Sequence, residues 1–150
     1  MAESVYTRLW RLAFNLFPAY YGTGGRVTHI ASDWSEVRIE LPLSLRTRNY
    51  VGTIFGGSIY GAVDPIYMLM LIKRLGRDYV VWDKAAAIRF RRPGRTTLHA
   101  VFRVDQGELD SIRRDLETSR SVERIYKIEL CDRSGTVHAV VDKTLHIRRK

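Results

Sequence analysis

The segment from Gly57 to Leu75 constrains the chain most. Its apolar residues Ile59, Ala62, Val63, Ile66, Met68, Leu69, Met70, Leu71 and Ile72 fall on every side of a helix rather than along one stripe. A helix of that kind has no face for water and must be covered all round. Something in the remaining sequence has to wrap it.

Strands are available for the purpose. Val37, Ile39 and Leu41 alternate with Glu36, Arg38 and Glu40, and Arg26 to Ala31 precedes them as a partner in a hairpin around Asp33. Later, Ile88 and Phe90 alternate with Arg89 and Arg91. Leu98, Ala100, Phe102 and Val104 form the next series, then Tyr126, Ile128 and Leu130, and last Val137, Ala139, Val141, Leu145 and Ile147. Pro93-Gly94, a polar helical insert around Glu108 to Thr118, and Ser134-Gly135 separate these runs. The pattern predicts an α+β domain: an antiparallel, meander-like sheet of roughly six strands wrapped around one long central helix. In front of it, residues 4–17 read as a short amphipathic helix, with Val5, Leu9, Leu12, Phe14 and Leu16 in one apolar sector and Arg8 and Arg11 outside it; Pro18 and Gly22 to Gly25 end it. No linker or repeat divides residues 1–150, so one domain is expected.

Composition removes several classes. Lys and Arg number 25 against 16 Asp and Glu, a net charge of +9, but 8 Tyr, 5 Phe and 3 Trp demand burial and exclude a disordered chain. Cys131 is the single cysteine and has no partner for an internal disulfide, which points to a reduced, cytoplasmic protein. The four histidines have no cysteine near them in zinc-ligand spacing, so no metal or other cofactor is expected. Val51 to Ile72 is the one stretch resembling a membrane span, and Asp64 and Pro65 sit inside it; a central acid costs roughly 2.5 to 3.5 kcal/mol on insertion. No membrane span is expected.

The chemistry concentrates between Asn49 and Asp64. Gly56 and Gly57 open the buried helix, where free backbone N–H groups carry the positive end of the helix dipole and suit an oxyanion or carbonyl oxygen. Asp64 lies among apolar residues, and burial strengthens a carboxylate as a base. Together these are the parts needed to hydrolyse an acyl derivative. Another reading stands beside this one: Asp64-Pro65 as the start of a second helix, with Asp as N-cap and Pro at N1, and the glycines serving only close packing. Ser58 lacks the Gly-x-Ser-x-Gly spacing of a nucleophile elbow, and no glycine run is followed by the Lys-Ser/Thr of a phosphate loop. His138, Asp142 and His146 share the polar parity of the last strand, which reads as a solvated face. Lys84 shares parity with Ile88 and Phe90 and is a candidate buried partner for Asp64.

The order Asn49, Gly52-Thr53, Gly56-Gly57, Asp64 resembles the active-site segment of hotdog-fold thioesterases of the phenylacetate-degradation type. Trp82-Asp83-Lys84 and Ile88-Arg89-Phe90 are similar to an uncharacterised thioesterase-like branch of that superfamily. The resemblance covers roughly residues 35 to 148. It implies a homodimer, or a dimer of dimers, with an acyl-CoA or acyl-carrier-protein thioester bound at the subunit interface. It further implies Asp64 as general base or nucleophile, the Gly57 N–H on the thioester oxygen, and Asn49 as an orienting group from the neighbouring subunit. Gly56, Phe55, Ser58, Lys84, Arg91 and Arg92 would line the substrate site, the arginines meeting the phosphates of CoA. Many relatives carry histidine where this chain has Phe55, which makes no side-chain hydrogen bond. A non-catalytic acyl-ligand-binding domain is therefore the alternative. The basic excess, with Phe90 and Tyr126 as stacking platforms, is the feature a nucleic-acid reading would use, but no recognised motif accompanies it.

Overall fold

The computed structural model describes residues 1–150. The chain runs α1 (Val5–Leu16), α2 (Pro18–Thr23), β1 (Arg26–Ile30), β2 (Glu36–Leu41), α3 (Gly56–Val63), α4 (Ile66–Leu75), β3 (Tyr79–Phe90), β4 (Leu98–Arg103), α5 (Gln106–Thr118), β5 (Ser121–Cys131) and β6 (Val137–Arg149). The six strands form one antiparallel sheet in the order β1-β2-β4-β5-β6-β3. Only β4, β5 and β6 follow one another as a meander. The chain leaves β2, crosses by way of α3 and α4, and lays β3 on the far edge beside β6 before returning to β4. Alternation identifies strands but carries no information on neighbours, which is why the crossover was invisible in the pattern. About twenty residues of helix, roughly 30 Å at 1.5 Å per residue, span the sheet.

The central helix is interrupted. Asp64 (φ −49°, ψ −53°) and Pro65 (φ −84°, ψ −8°) stay in the right-handed region between α3 and α4. The Asp64 N–H donates to Tyr60 O, and Leu69 N–H to Pro65 O. Pro65 has no N–H to offer the carbonyl four residues back, so one rung of the ladder is missing there. Its inner side is core: Ile59, Ala62, Val63, Ile66, Met70 and Leu71 meet Ile39, Leu41, Leu98, Phe102, Ile128, Leu130, Val141 and Leu145, all buried. Tyr67 stands edge-on to Phe102, ring centres 5.1 Å apart, and stacks on Tyr126 at 4.3 Å. Tyr126 is thereby committed to the core rather than to stacking on a base. No helix is long and apolar enough to cross a membrane.

α1 sits differently from the sequence reading. Trp10 and Phe14 pack inward, Trp10 against Trp34 at 5.9 Å and Phe14 against Tyr20 at 4.5 Å, while Val5, Leu9, Leu12 and Leu16 face outward. Pro18 does not end the helical region but occupies the first position of α2, where its missing N–H costs nothing. The polar side of α1 serves the free edge of β1. Asn15 accepts from the Val27 N–H at 2.7 Å and donates to the Val27 carbonyl at 2.8 Å, and Glu3 accepts from the Ile30 N–H at 3.0 Å while holding Arg11. An open edge is thus closed by side chains in place of another strand.

That closure is testable. Asn15→Ala leaves both Val27 backbone groups without partners beside a buried side chain, and is expected to lower stability by about 1 to 3 kcal/mol, read as a fall in urea midpoint with an unchanged denaturant slope.

Candidate active site

The loop between β2 and α3 is built around Thr47, which is fully buried. Its Oγ1 donates to Pro42 O at 2.7 Å and accepts from Ser44 N–H, and its carbonyl accepts the Phe55 N–H at 2.7 Å. Asn49 organises the tip. Its Oδ1 accepts from the N–H groups of Val51 and Thr53, and its Nδ2 donates to Thr53 Oγ1 at 2.8 Å. Most of the Asn49 amide is thus spent on its own loop, leaving one Nδ2 hydrogen for anything else.

This loop delivers the chain to the start of α3. Phe55 is the N-cap residue and makes no side-chain capping bond. Its carbonyl takes the N–H groups of Ser58 and Ile59, so the amides of Gly56 and Gly57 precede the first intrahelical donor and stay open. Both glycines are also packing positions. A Cβ on Gly56 would lie 3.0 Å from the Phe90 ring, and one on Gly57 would overlap the Phe55 ring. Ser58 is buried and turned inward, away from the opening. A cleft of about 370 Å³ lies over this helix start, lined by Asn49, Thr53, Ile54, Gly56, Ile59, Phe90, Arg91, Arg92, Pro93 and Gly94. It gathers Asn49, Gly56, Arg91 and Arg92 into one place. The N–H groups of Arg91 and Arg92 both donate to the His138 carbonyl, which turns the two exposed guanidinium side chains out from the end of β3.

Asp64 lies two turns further along the helix. It caps neither segment with its side chain, so the helix-start reading of Asp64-Pro65 does not describe it. Its Oδ1 accepts from Tyr60 Oη at 2.8 Å and from Lys143 Nζ, whereas Oδ2 takes no hydrogen bond within the chain. Lys143 is the residue that the sequence reading missed. It occupies the core-facing parity of β6 between Val141 and Leu145, and its side chain is 0% exposed. Its ammonium also donates to Tyr60 Oη at 3.0 Å and lies 3.2 Å from Asp83 Oδ1, an ionic contact outside hydrogen-bond geometry.

Lys84 is not the partner of Asp64. A bulge between Asp83 and Ala85 makes Lys84 the extra residue, returns Asp83 to the core face opposite Leu145, and sends Lys84 out to an exposed pairing with Glu123. The residues of the last strand are also separated from one another. His138 is held between the Pro93 carbonyl and Asp132, Asp142 pairs with Arg89, and His146 stacks on Trp82 at 4.5 Å.

The electrostatics follow from this arrangement. Burial works to lower the Lys143 pKa, but the hydrogen bonds its ammonium donates to Asp64 and Tyr60 and the charges of Asp64 and Asp83 outweigh it, and the net shift is upward. Burial also pushes the Asp83 carboxyl up, and Lys143 pulls it only part of the way back. Tyr60 is raised by burial as well, against the pull of Lys143.

Comparison with known proteins adds the relatives. The family model described as a domain of unknown function, DUF4442, matches residues 7–147. The chain belongs to that family. No curated protein sequence matches it. Among solved structures, a Pseudomonas aeruginosa protein of unknown function named a probable thioesterase superposes with a TM-score of 0.84 at 18% identity, covering 100% of both chains. A thioesterase from Haemophilus influenzae gives 0.68 at 15%, over 97% of this chain and 92% of its own. A Chlorobaculum tepidum protein of unknown function gives 0.75 at 13%, over 97% and 95%. At such identities the likeness carries the fold alone, and this DUF4442 chain shares their hotdog architecture.

Lys143 has a folded pKa above its ordinary value, so its contribution to stability is complete below the unfolded value and is lost as pH climbs through the folded one. Lys143→Met should destabilise the protein by roughly 3 kcal/mol near neutrality. The gap between wild type and variant should narrow above about pH 10.5, as measured by denaturant midpoints across an alkaline series.

Proposed function

We propose that this DUF4442 protein is a hydrolase of acyl-CoA or acyl-carrier-protein thioesters whose reacting centre is assembled between two copies of the chain. One spacing carries the reading. The open Gly57 amide and the free Oδ2 of Asp64 are seven residues apart on the central helix, roughly 10 Å at 1.5 Å per residue. A thioester carbonyl has to sit about 3 Å from its oxyanion donor while the attacking water touches the base. One helix cannot supply both to a single carbonyl, whereas the amide of one copy and the carboxylate of another can. The exposed flank of α3 and the outer side of β3 are free for such a pairing.

In this centre Asp64 Oδ2 takes a proton from water as the water oxygen attacks the thioester carbon. The Gly57 N–H receives the negative charge that builds on the carbonyl oxygen. Collapse of the tetrahedral intermediate breaks the carbon–sulfur bond, expels the thiolate, which is then protonated, and leaves the carboxylic acid. Lys143 and Tyr60 fix Oδ1 and so aim Oδ2. The remaining Nδ2 hydrogen of Asn49 is available to orient the substrate. Phe55 and Phe90, both 57% exposed, frame the opening with apolar surface, and Arg91 and Arg92 meet the phosphates of a CoA-type carrier. The setting is a reducing cytoplasm, in keeping with the free thiol of Cys131.

A second reading has its own support. Phe55 offers the thioester no hydrogen bond, and Oδ1 of Asp64 is already engaged by the Lys143 ammonium and the Tyr60 hydroxyl, leaving a single carboxylate oxygen for chemistry. Both fit a domain that binds acyl thioesters without cleaving them.

A panel of acyl-CoA esters assayed with wild type and Asp64→Asn separates the two. Hydrolysis predicts turnover by wild type and a fall in kcat of about 10² to 10⁴-fold in the variant, with CoA affinity retained. Turnover unchanged by the substitution would remove Asp64 from the mechanism. Saturable CoA binding with no ester cleaved would establish the binding domain. Arg91→Ala with Arg92→Ala should weaken CoA binding most at low ionic strength, where unscreened charge contributes most.

A further inference from the structure

The helix α1 presents three sectors, and the fold uses two of them. Trp10 and Phe14 enter the core, and Glu3, Arg11 and Asn15 are engaged at the edge of β1. The third sector holds Val5, Leu9, Leu12 and Leu16, 76%, 61%, 49% and 74% exposed, and Phe17 extends it at 62%. Positions i, i+4, i+7 and i+11 lie in line on a helix, so this is a continuous apolar stripe and not scattered residues. The helix is pinned with the stripe outward.

The charge left unpaired around the stripe is basic. No acidic residue occurs between Ser4 and Ser32; within that span Arg11 is held by Glu3 and Arg26 lies near Glu40, whereas Arg8 has no acidic partner. Past Tyr6, at the beginning of the helix, a cleft of about 470 Å³ is lined by Ile72, Lys73, Arg77, Tyr79 and Lys150. Lys73 lies 3.7 Å over the Trp10 ring, and beyond α2 Arg46 lies 4.0 Å over the exposed Tyr21 ring. Basic groups thus flank the stripe at both ends, with tyrosines between charge and apolar surface.

We propose that α1 docks this protein peripherally on an anionic lipid bilayer, lying in the plane of the interface. The stripe enters the boundary between headgroups and acyl chains, and the Lys73, Arg77 and Lys150 cleft meets lipid phosphates. An interfacial helix needs this combination of apolar face, basic flanks and aromatic belt. A second protein copy is a poorer occupant, because two such surfaces would bring their like charges together. The inference does not depend on the thioester reading, since neither the stripe nor the basic cleft shares a residue with the cleft over the start of α3.

The test is co-sedimentation of the full-length protein with vesicles of phosphatidylcholine alone and with about one-third phosphatidylglycerol. Binding should be more than about tenfold stronger to the anionic vesicles and should fall as salt rises. Leu9→Glu with Leu12→Glu should abolish it, with melting temperature and urea midpoint unchanged. Arg77→Glu, at an exposed position, should weaken it independently. Absence of binding to anionic vesicles, or equal binding by the leucine variant, would overturn the proposal. So would light scattering in which wild type forms a larger assembly that the leucine variant breaks, because a second copy would then cover the stripe.

Discussion

A single buried ammonium ties the interrupted helix to the sheet. Lys143 reaches from the core face of β6 to Asp64 at the break between α3 and α4, to Tyr60 one turn earlier, and to Asp83 on the neighbouring strand. Removing a cation from water costs several kcal/mol unless its partners are well placed, so such a group specifies geometry more than it adds net stability. Here the geometry specified is the height of the helix over the sheet and the direction of one carboxylate. With Lys143 absent, Asp64 and Asp83 would face each other across the helix–sheet boundary with only mutual repulsion.

The break itself is accommodated from the other side. Tyr20 on α2 donates its hydroxyl to the Ala62 carbonyl at 2.9 Å, and Gly25 lies so close to Ala62 that a Cβ there would stand 2.7 Å from the alanine methyl. A carbonyl near the missing rung therefore has a partner outside the helix, as buried backbone requires. The interruption is held from α2 on one flank and from Lys143 on the other. A straight helix through this point would turn Asp64 relative to both supports.

Much of this was legible in the sequence. The all-round apolar run at Ile59 to Ile72 gave the buried helix, and the alternations at Glu36 to Leu41 and Leu98 to Val104 gave β2 and β4, the latter ending one residue earlier at Arg103. Asp64 stood out as an acid among apolar neighbours, and the structure places it on the central helix against Lys143 and Tyr60. Its partner was misassigned because parity counting assumes an unbroken pleat. The bulge after Asp83 shifts every earlier residue of β3 by one, which exchanges the faces of Asp83 and Lys84. Lys143 could have been found, since it replaces an apolar residue between Val141 and Leu145, and a lysine on that parity must seek an anion. α1 misled for a different reason: helical periodicity finds an apolar sector but does not say which of two sectors the core will take, and the bulkier Trp10 and Phe14 took it.

The two edges of the sheet are treated unequally, and that inequality orders the molecule. At β1 the backbone groups of Val27 and the Ile30 N–H are satisfied by Asn15 and Glu3, so no further strand can add there without displacing α1. At β3 no strand occupies the outer side, and Ala85, Ala86 and Ala87 present small, exposed side chains that permit close approach of another backbone. Unpaired strand edges are where chains add to one another. The edge left open lies beside Phe90, Gly56 and Tyr60, the same flank along which the open amides and Asp64 are distributed. The opposite edge is sealed by the polar side of α1, so the side chains that close β1 are the same ones that hold the helix with its apolar stripe outward.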